Sequence, residues 1–181
     1  MNAPQSITIP RKWTSTAVLA SLFVIATAIA AQVAIPIPGT PVPLALAPML
    51  VVLAGLWLGP AAGAASMAAY VALGALGLPV FAPVGAPGLA RLLGPTGGYL
   101  LAYPVAAAIT GLVARRLPRA GGRIAAALAG MVVIHAGGVA QLTLLTGSLS
   151  SAVSLGSAPF ALGDAAKAIV AGLLPRRAPR A

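Results

Sequence analysis

The sequence predicts an all-α membrane protein, with six transmembrane helices in one integral domain over residues 1–181. Hydrophobic residues make up 60% of the chain and charged residues only 7%, whereas charged residues are about a quarter of an average soluble domain. The apolar runs approach the roughly 20 residues that a helix needs to cross the hydrocarbon core. Proline, glycine and arginine clusters divide them into predicted helices at residues 14–34, 44–58, 61–80, 96–114, 124–146 and 159–174.

Basic residues flank these apolar segments instead of forming a stripe through a folded domain. The chain has 11 of them against one acid, which gives a formal net charge of +10. Six helices place nine of the 11 on one side of the membrane: Arg11, Lys12, Arg115, Arg116, Arg119, Arg123, Arg176, Arg177 and Arg180. By the positive-inside rule that side is the cytoplasm, and both termini lie there. Membrane topology therefore explains the charge, and we expect a lipid bilayer and no nucleic acid as partner.

The first three helices are predicted from their lengths and boundaries. Thr14 to Ala31 looks like a signal peptide, but the apolar run continues to Ile35 and is longer than the usual signal core. We therefore expect an uncleaved first membrane helix. The second segment is short and the third is rich in small residues, so the two form either separate spans or one broken hairpin around Gly59-Pro60. In both cases the chain turns back at that point.

Two loops on the predicted outer side are rich in proline and glycine. Residues 35–43 alternate proline with apolar residues, which favours a stiff, extended cover. Residues 81–98 contain five glycines and three prolines, and glycine lets backbone approach a ligand closely. Such a stretch without helix suits the mouth of a cavity, although an ordinary flexible connector fits the composition equally well.

Small residues recur at helix-packing spacing in two segments. The first carries Ala26, Thr27, Ala30 and Ala31, and the third carries Ala61, Ala65 and Ala69. Faces of this kind let helices approach closely in a membrane. We expect packing within the bundle, and a docking face for another membrane subunit is the alternative.

Asp164 is the only acidic residue of the chain, and it precedes Lys167 by three positions within the last apolar segment. Residues i and i+3 share one face of a helix. Charges inside a membrane span are costly, and they usually face the bundle interior or a polar cavity on a substrate or ion pathway. A salt bridge that only joins helices is the alternative, but an ion pair stabilises weakly once its desolvation is counted. The pair therefore predicts a binding site.

Four further residues are weaker candidates near this site. Arg91 lies in the glycine-rich loop, where it would suit an incoming carboxylate, although a solvated loop arginine is equally compatible. Gly98 would allow close backbone approach, and Tyr99 would stack on a ligand or hydrogen-bond to it, unless it is only a membrane-interface anchor. His135 stands alone in the fifth segment, and a lone buried histidine is more often a packing residue than a ligand or a proton carrier.

The composition gives little support for an enzymatic function. Cysteine is absent, and the chain has one histidine and one acid, so thiolate chemistry and cysteine metal sites are excluded. The sequence contains no phosphate-binding glycine loop followed by Lys-Ser/Thr. We predict no catalytic residue, no metal and no cofactor.

Several stretches together resemble the BioY family, the biotin-specific substrate-binding (S) components of energy-coupling factor (ECF) transporters. They are Pro-Val-Pro-Leu at 41–44, Val-Val-Leu-Ala-Gly at 51–55, Leu-Gly-Ala-Leu-Gly-Leu-Pro-Val-Phe at 73–81, Gly-Pro-Thr-Gly-Gly-Tyr-Leu at 94–100, and Pro-Phe with Gly-Asp-Ala-Ala-Lys at 159–167. The family would have a polar Thr-Leu-Gln-like stretch after the proline loop. Here residues 44–48 read Leu-Ala-Leu-Ala-Pro, so a polar side-chain contact from the second helix is not expected.

The resemblance implies a six-helix S-component-type bundle in the inner membrane of a prokaryotic cell. It implies capture of biotin from the outer side, a transmembrane coupling subunit and cytoplasmic ATPase subunits as partners, and a biotin site that includes Asp164 and Lys167. It leaves open whether copies of the chain associate with one another. In one arrangement Lys167 donates to the ureido carbonyl and Arg91 holds the carboxylate, and in the other Lys167 holds the carboxylate itself. We favour the first, because side chains at i and i+3 are close and the two ends of biotin are not.

Two other functions remain compatible with the residues alone. One is an ion- or proton-coupled small-molecule carrier in which Asp164 is the proton site. The other is a structural membrane subunit in which Asp164 and Lys167 only join helices.

Overall fold

The computed structural model describes residues 11–175, with side chains from residue 15 onward. Of the predicted cytoplasmic cluster, Arg176, Arg177 and Arg180 lie outside the described residues. The described helices are α1 (Arg11–Gln32), α2 (Ala47–Leu58), α3 (Pro60–Ala75), α4 (Leu89–Leu93), α5 (Gly97–Arg116), α6 (Ala120–Thr146), α7 (Leu149–Gly156) and α8 (Ala161–Leu173). Two short strands, β1 (Ala34–Ile35) and β2 (Leu44–Ala45), form an antiparallel pair.

The predicted all-α fold is confirmed. Within the described residues three helices are long and apolar enough to cross a membrane, at residues 15–32, 97–116 and 120–146. Helices α2 and α3 are apolar but shorter, with 12 and 16 residues. The two short helices α4 and α7 lie in loops for which the sequence predicted no helix.

Two predicted helix boundaries differ from the structure for local reasons. The third predicted helix extends to residue 80, whereas α3 ends at Ala75, and Gly77 follows with a φ of +98° that a helix does not allow. The second predicted helix begins at residue 44, whereas Leu44 pairs with Ile35 and α2 begins only at Ala47. The proline-rich segment is therefore the loop of a small β-hairpin, and its two ends are held together.

The reversal predicted at Gly59-Pro60 is present between α2 and α3. Gly59 has a φ of +81° and ends α2, and Pro60 is the first residue of α3. Proline is favoured at that position, because its fixed φ suits a helix start and its missing N–H would have no partner there.

Helix α5 packs against α2, α3, α4 and α6. It approaches α6 where Gly98 faces Gly137: a Cβ added at Gly98 would lie 2.1 Å from the Gly137 carbonyl oxygen, and one added at Gly137 would lie 2.6 Å from the Gly98 carbonyl oxygen. No side chain fits in this contact. Gly98, a candidate for ligand binding, therefore lies at a helix crossing.

The two small-residue faces differ in their surroundings. On α1, Ala30 and Ala31 are buried, as expected for packing within the bundle. On α3, Ala61, Ala65 and Ala69 are exposed. The packing interpretation therefore applies to α1 and is wrong for α3, whose buried face carries larger residues such as Met67 and Tyr70.

We predict that Gly98→Ala lowers the free energy of unfolding by about 1–3 kcal/mol, the usual effect of overpacking a close contact. Thermal unfolding of the purified protein in detergent measures it. Gly121→Ala in the first turn of α6 is the matched control, because a Cβ at Gly121 meets no atom within 4 Å. An unchanged melting temperature for Gly98→Ala would contradict the close approach of α5 and α6.

Candidate functional site

A partly open cavity lies among the β-hairpin, α3, α5, α6 and α8. The space that it encloses, with the open mouth included, is about 690 Å³. Much of its wall is aromatic: Tyr70, Phe81, Tyr99, Tyr103 and Phe160. Tyr70 packs edge-on against Phe81 and stacks on Tyr103, with ring centroids 5.6 and 6.1 Å apart. The cavity therefore offers a rigid apolar surface to a ring-shaped ligand.

Asp164 and Lys167 line this cavity from α8. Asp164 lies in the first turn of the helix and is only 6% exposed. The Lys167 ammonium donates a hydrogen bond to Asp164 Oδ1, at 2.7 Å from Nζ. The predicted i, i+3 pair therefore forms, and it faces a cavity.

The Lys167 ammonium also donates to the carbonyl oxygen of Ala45, at 2.7 Å. Ala45 lies in β2, within the segment from which the sequence predicted no polar side-chain contact. A main-chain carbonyl thus provides a polar contact from this segment, independently of side-chain identity. The bond ties α8 to the β-hairpin.

His135 completes the polar cluster. Its Nε2 lies 2.9 Å from Asp164 Oδ2, and its ring meets the Tyr99 ring edge-on, with centroids 6.4 Å apart. The packing role favoured for this residue is therefore incomplete, because His135 hydrogen-bonds to the only acid of the chain. The sequence contained one usable signal: a span that holds the only histidine and a span that holds the only acid are both expected to turn such groups inward.

Arg91, on the short helix α4, is buried at 7% exposure. Its guanidinium donates to the carbonyl oxygens of Ala82, Val84 and Ala86, with 2.7 Å to Ala82 and 2.9 Å to Ala86. It therefore organises the preceding loop and is not a solvated arginine. Burial lowers the pKa of Arg91 from its ordinary value, and nearby Tyr70 opposes this shift, but arginine stays charged at any physiological pH. Arg91 also lines the cavity, with two of its five N–H groups free of these bonds.

Tyr99 lines the cavity with its ring and donates its hydroxyl to the Gly156 carbonyl oxygen at 2.5 Å. A Cβ at Gly138 would lie 2.0 Å from this ring, and one at Gly156 would lie 2.3 Å from the hydroxyl. Two glycines therefore make room for Tyr99. The neighbouring Gly98 contributes through the α5–α6 contact and is not part of the cavity wall.

The proline loop rests on α7. The Thr40 hydroxyl donates to the Leu155 carbonyl oxygen at 2.6 Å and accepts from the backbone N–H of Val42 at 3.1 Å. Val42, Pro43 and Leu44 line the cavity. The expected cover is therefore part of the cavity wall.

In the described part of the chain no three His, Cys, Asp or Glu side chains come together as they would to hold a metal ion. The polar groups of the cavity are instead suited to an uncharged or anionic organic ligand. They comprise one carboxylate, one ammonium, one guanidinium, one imidazole and backbone carbonyls.

Comparison with solved structures finds a close match in fold. The crystal structure of the S-component for biotin from an ECF-type ABC transporter superposes with a TM-score of 0.84 and 28% sequence identity, over 92% of this chain and 91% of that chain.

Sequence relatives agree with this match. The probable biotin transporter BioY of Pyrococcus horikoshii is 42% identical over 88% of this chain and 93% of its own. The biotin transporter BioY of Thermotoga maritima is 39% identical over 79% of this chain and 84% of its own. The BioY family model matches residues 3–181. This chain therefore belongs to the BioY family.

Proposed function

We propose that this chain is the biotin-binding S component of an ECF-type biotin uptake transporter, a binding protein and not an enzyme. The observation that carries the proposal is the Asp164–Lys167 pair in the wall of an aromatic cavity. Family membership and the match to a biotin S-component give the ligand its identity.

The hydrogen-bonding capacity of the cluster fits the ureido ring of biotin. This ring has two N–H donors and one carbonyl acceptor. Each Asp164 oxygen accepts one bond from the protein and has capacity for another. Lys167 uses two of its three N–H groups, on Asp164 and Ala45, and one remains. Asp164 would therefore accept from a ureido N–H while Lys167 donates to the ureido carbonyl.

The remainder of biotin would meet the aromatic wall and Arg91. Its thiophane ring and valeryl chain are apolar and suit the surface formed by Tyr70, Phe81 and Tyr103. Its carboxylate is the natural partner of a guanidinium whose hydrogen bonds within the described residues all go to neutral carbonyls. We therefore assign the carboxylate to Arg91, Tyr99 to the apolar wall, and Gly98 to positioning Tyr99 through helix packing.

The proline loop and the loop held by Arg91 would cover the bound ligand. Excluding water strengthens each polar contact, because the local dielectric constant falls. The Thr40–Leu155 hydrogen bond would then keep the cover in place while biotin is bound.

For topology we propose six spans, formed by α1, α2, α3, α5, α6 and α8, with both termini in the cytoplasm of a prokaryotic cell. The distribution of basic residues supports this orientation. The cytoplasmic side of the protein would contact a coupling subunit and ATPase subunits, since the chain has no nucleotide-binding motif of its own.

We predict that the purified chain binds biotin at one saturable site and that Asp164→Asn weakens the affinity roughly ten- to hundredfold, because a hydrogen bond to a charged group contributes about 1.5–3 kcal/mol. Equilibrium binding measures this. Ser150→Ala, an exposed position on α7, serves as the control. Wild-type protein that is folded and does not bind biotin would overturn the proposed function.

Lys167 and Arg91 are separated by comparing biotin with its methyl ester. We predict that Lys167→Ala weakens both ligands by the same factor, because Lys167 contacts the ureido ring. Arg91→Ala should weaken the binding of biotin more than that of the ester. Any loss of affinity that both ligands share would come from loosening the loop whose carbonyls accept from Arg91. A Lys167→Ala variant whose loss is confined to biotin would instead assign the carboxylate to Lys167.

The orientation is tested with single cysteines, since the native chain has none. We predict that a membrane-impermeant thiol reagent labels Leu89→Cys from outside the cell and Ala120→Cys only in inverted vesicles. Both positions are exposed, and α5 separates them. The unlabelled native chain is the control. Labelling of both positions from one side would contradict a span at α5, and the reverse pattern would contradict cytoplasmic termini.

A further inference from the structure

A second depression adjoins the cavity on the far side of the Asp164–His135 contact. It is a groove of about 860 Å³, open mouth included, between α6 and α8. Its wall is apolar or small, with Val132, Ala136 and Ala161 among its residues. Asp164 and His135 line both the groove and the aromatic cavity. These two side chains therefore form part of the partition between the two spaces.

Lys167 holds only one oxygen of the Asp164 carboxylate. Its ammonium donates to Oδ1 and to the Ala45 carbonyl oxygen of the β-hairpin, so Oδ1 is anchored on the side of the ligand cavity. His135 belongs to α6 and bonds to the other carboxylate oxygen, Oδ2. A contact from α6 therefore fixes the second oxygen, which the Lys167 contacts leave free to rotate.

His135 itself has a firm support. Its ring packs against the edge of Tyr99, whose hydroxyl is bonded to Gly156. Two residues farther along α6, Gly137 lies in a close contact between α5 and α6. The imidazole is thus held from the α5 side while it reaches toward α8.

The direction of the hydrogen bond follows from the partners. Asp164 is paired with Lys167, so it is ionised and only accepts. His135 Nε2 must therefore donate. His135 Nδ1 is buried and has no hydrogen-bond partner among the described residues, so the contact with Asp164 depends on Nε2.

We propose that His135 is a positioning residue, which keeps the Asp164 carboxylate turned into the ligand cavity and away from the α6–α8 groove. The inference rests on the proposed function, since the carboxylate so held is the acceptor for the ureido N–H. His135 acts through Asp164 and needs no contact of its own with biotin.

Two amide replacements of His135 give a matched test. The amide nitrogen of glutamine reaches the position of Nε2, whereas that of asparagine reaches only the position of Nδ1. His135→Gln should bind biotin within about threefold of wild type, and His135→Asn should weaken binding about tenfold, the effect of one hydrogen bond to a charged group. Both are measured by equilibrium binding on protein whose folding is checked by thermal unfolding.

The Asp164→Asn background separates positioning from a general structural role. In this background His135→Asn should change the affinity for biotin by less than about threefold, because the carboxylate that His135 positions is absent. Three results would overturn the inference. The first is a tenfold loss of affinity from His135→Asn that persists in the Asp164→Asn background. The others are equal affinities of His135→Gln and His135→Asn, and a tenfold loss in a folded His135→Gln variant. A wild-type chain that binds no biotin overturns the proposed function instead.

Discussion

The Asp164 carboxylate is the contact on which the site depends. Lys167 donates to it from the same helix, and His135 bonds to it from α6. The Lys167 ammonium also donates to the Ala45 carbonyl oxygen in the β-hairpin. A buried ion pair adds little net stability, but removing one partner leaves a charge without compensation. These contacts therefore join α8, α6 and the β-hairpin, and their main effect is to fix the arrangement of the three elements, since they add little to stability. That arrangement is what the cavity presents to a ligand.

The two cations of the cavity are compensated in different ways. Lys167 faces a carboxylate, whereas Arg91 faces the carbonyl oxygens of its own loop. Carbonyl dipoles solvate a guanidinium without cancelling its charge. Within the described residues the single acid is already paired with Lys167, so the positive charge of Arg91 has no carboxylate partner there. One cation thus belongs to an ion pair, and the other retains the positive charge on which its proposed role as the carboxylate partner rests.

Local features of the fold and site could be read from the sequence. The turn at Gly59-Pro60 and the Asp164–Lys167 pair depend on residues a few positions apart, and helix periodicity fixes their geometry. The His135–Asp164 bond joins positions 29 residues apart, and only the packing of α6 on α8 brings them together. The bonds of Arg91 follow from the path of an irregular loop, and the exposure of Ala61 depends on which helices surround α3. No periodicity encodes those relations.

The placement of the charge pair on a single helix also affects biosynthesis. Helix α8 follows the other described helices along the chain, and an isolated charge at the centre of a span costs about 2.5–3.5 kcal/mol to insert. Asp164 carries its counter-ion three residues away, so the two charges can neutralise each other before α8 has met any other helix. The bond to His135 has to await assembly of the bundle. The pairing within α8 thus lowers the cost of placing either charge in an apolar environment, and the carboxylate acquires its final orientation only when α8 packs against α6.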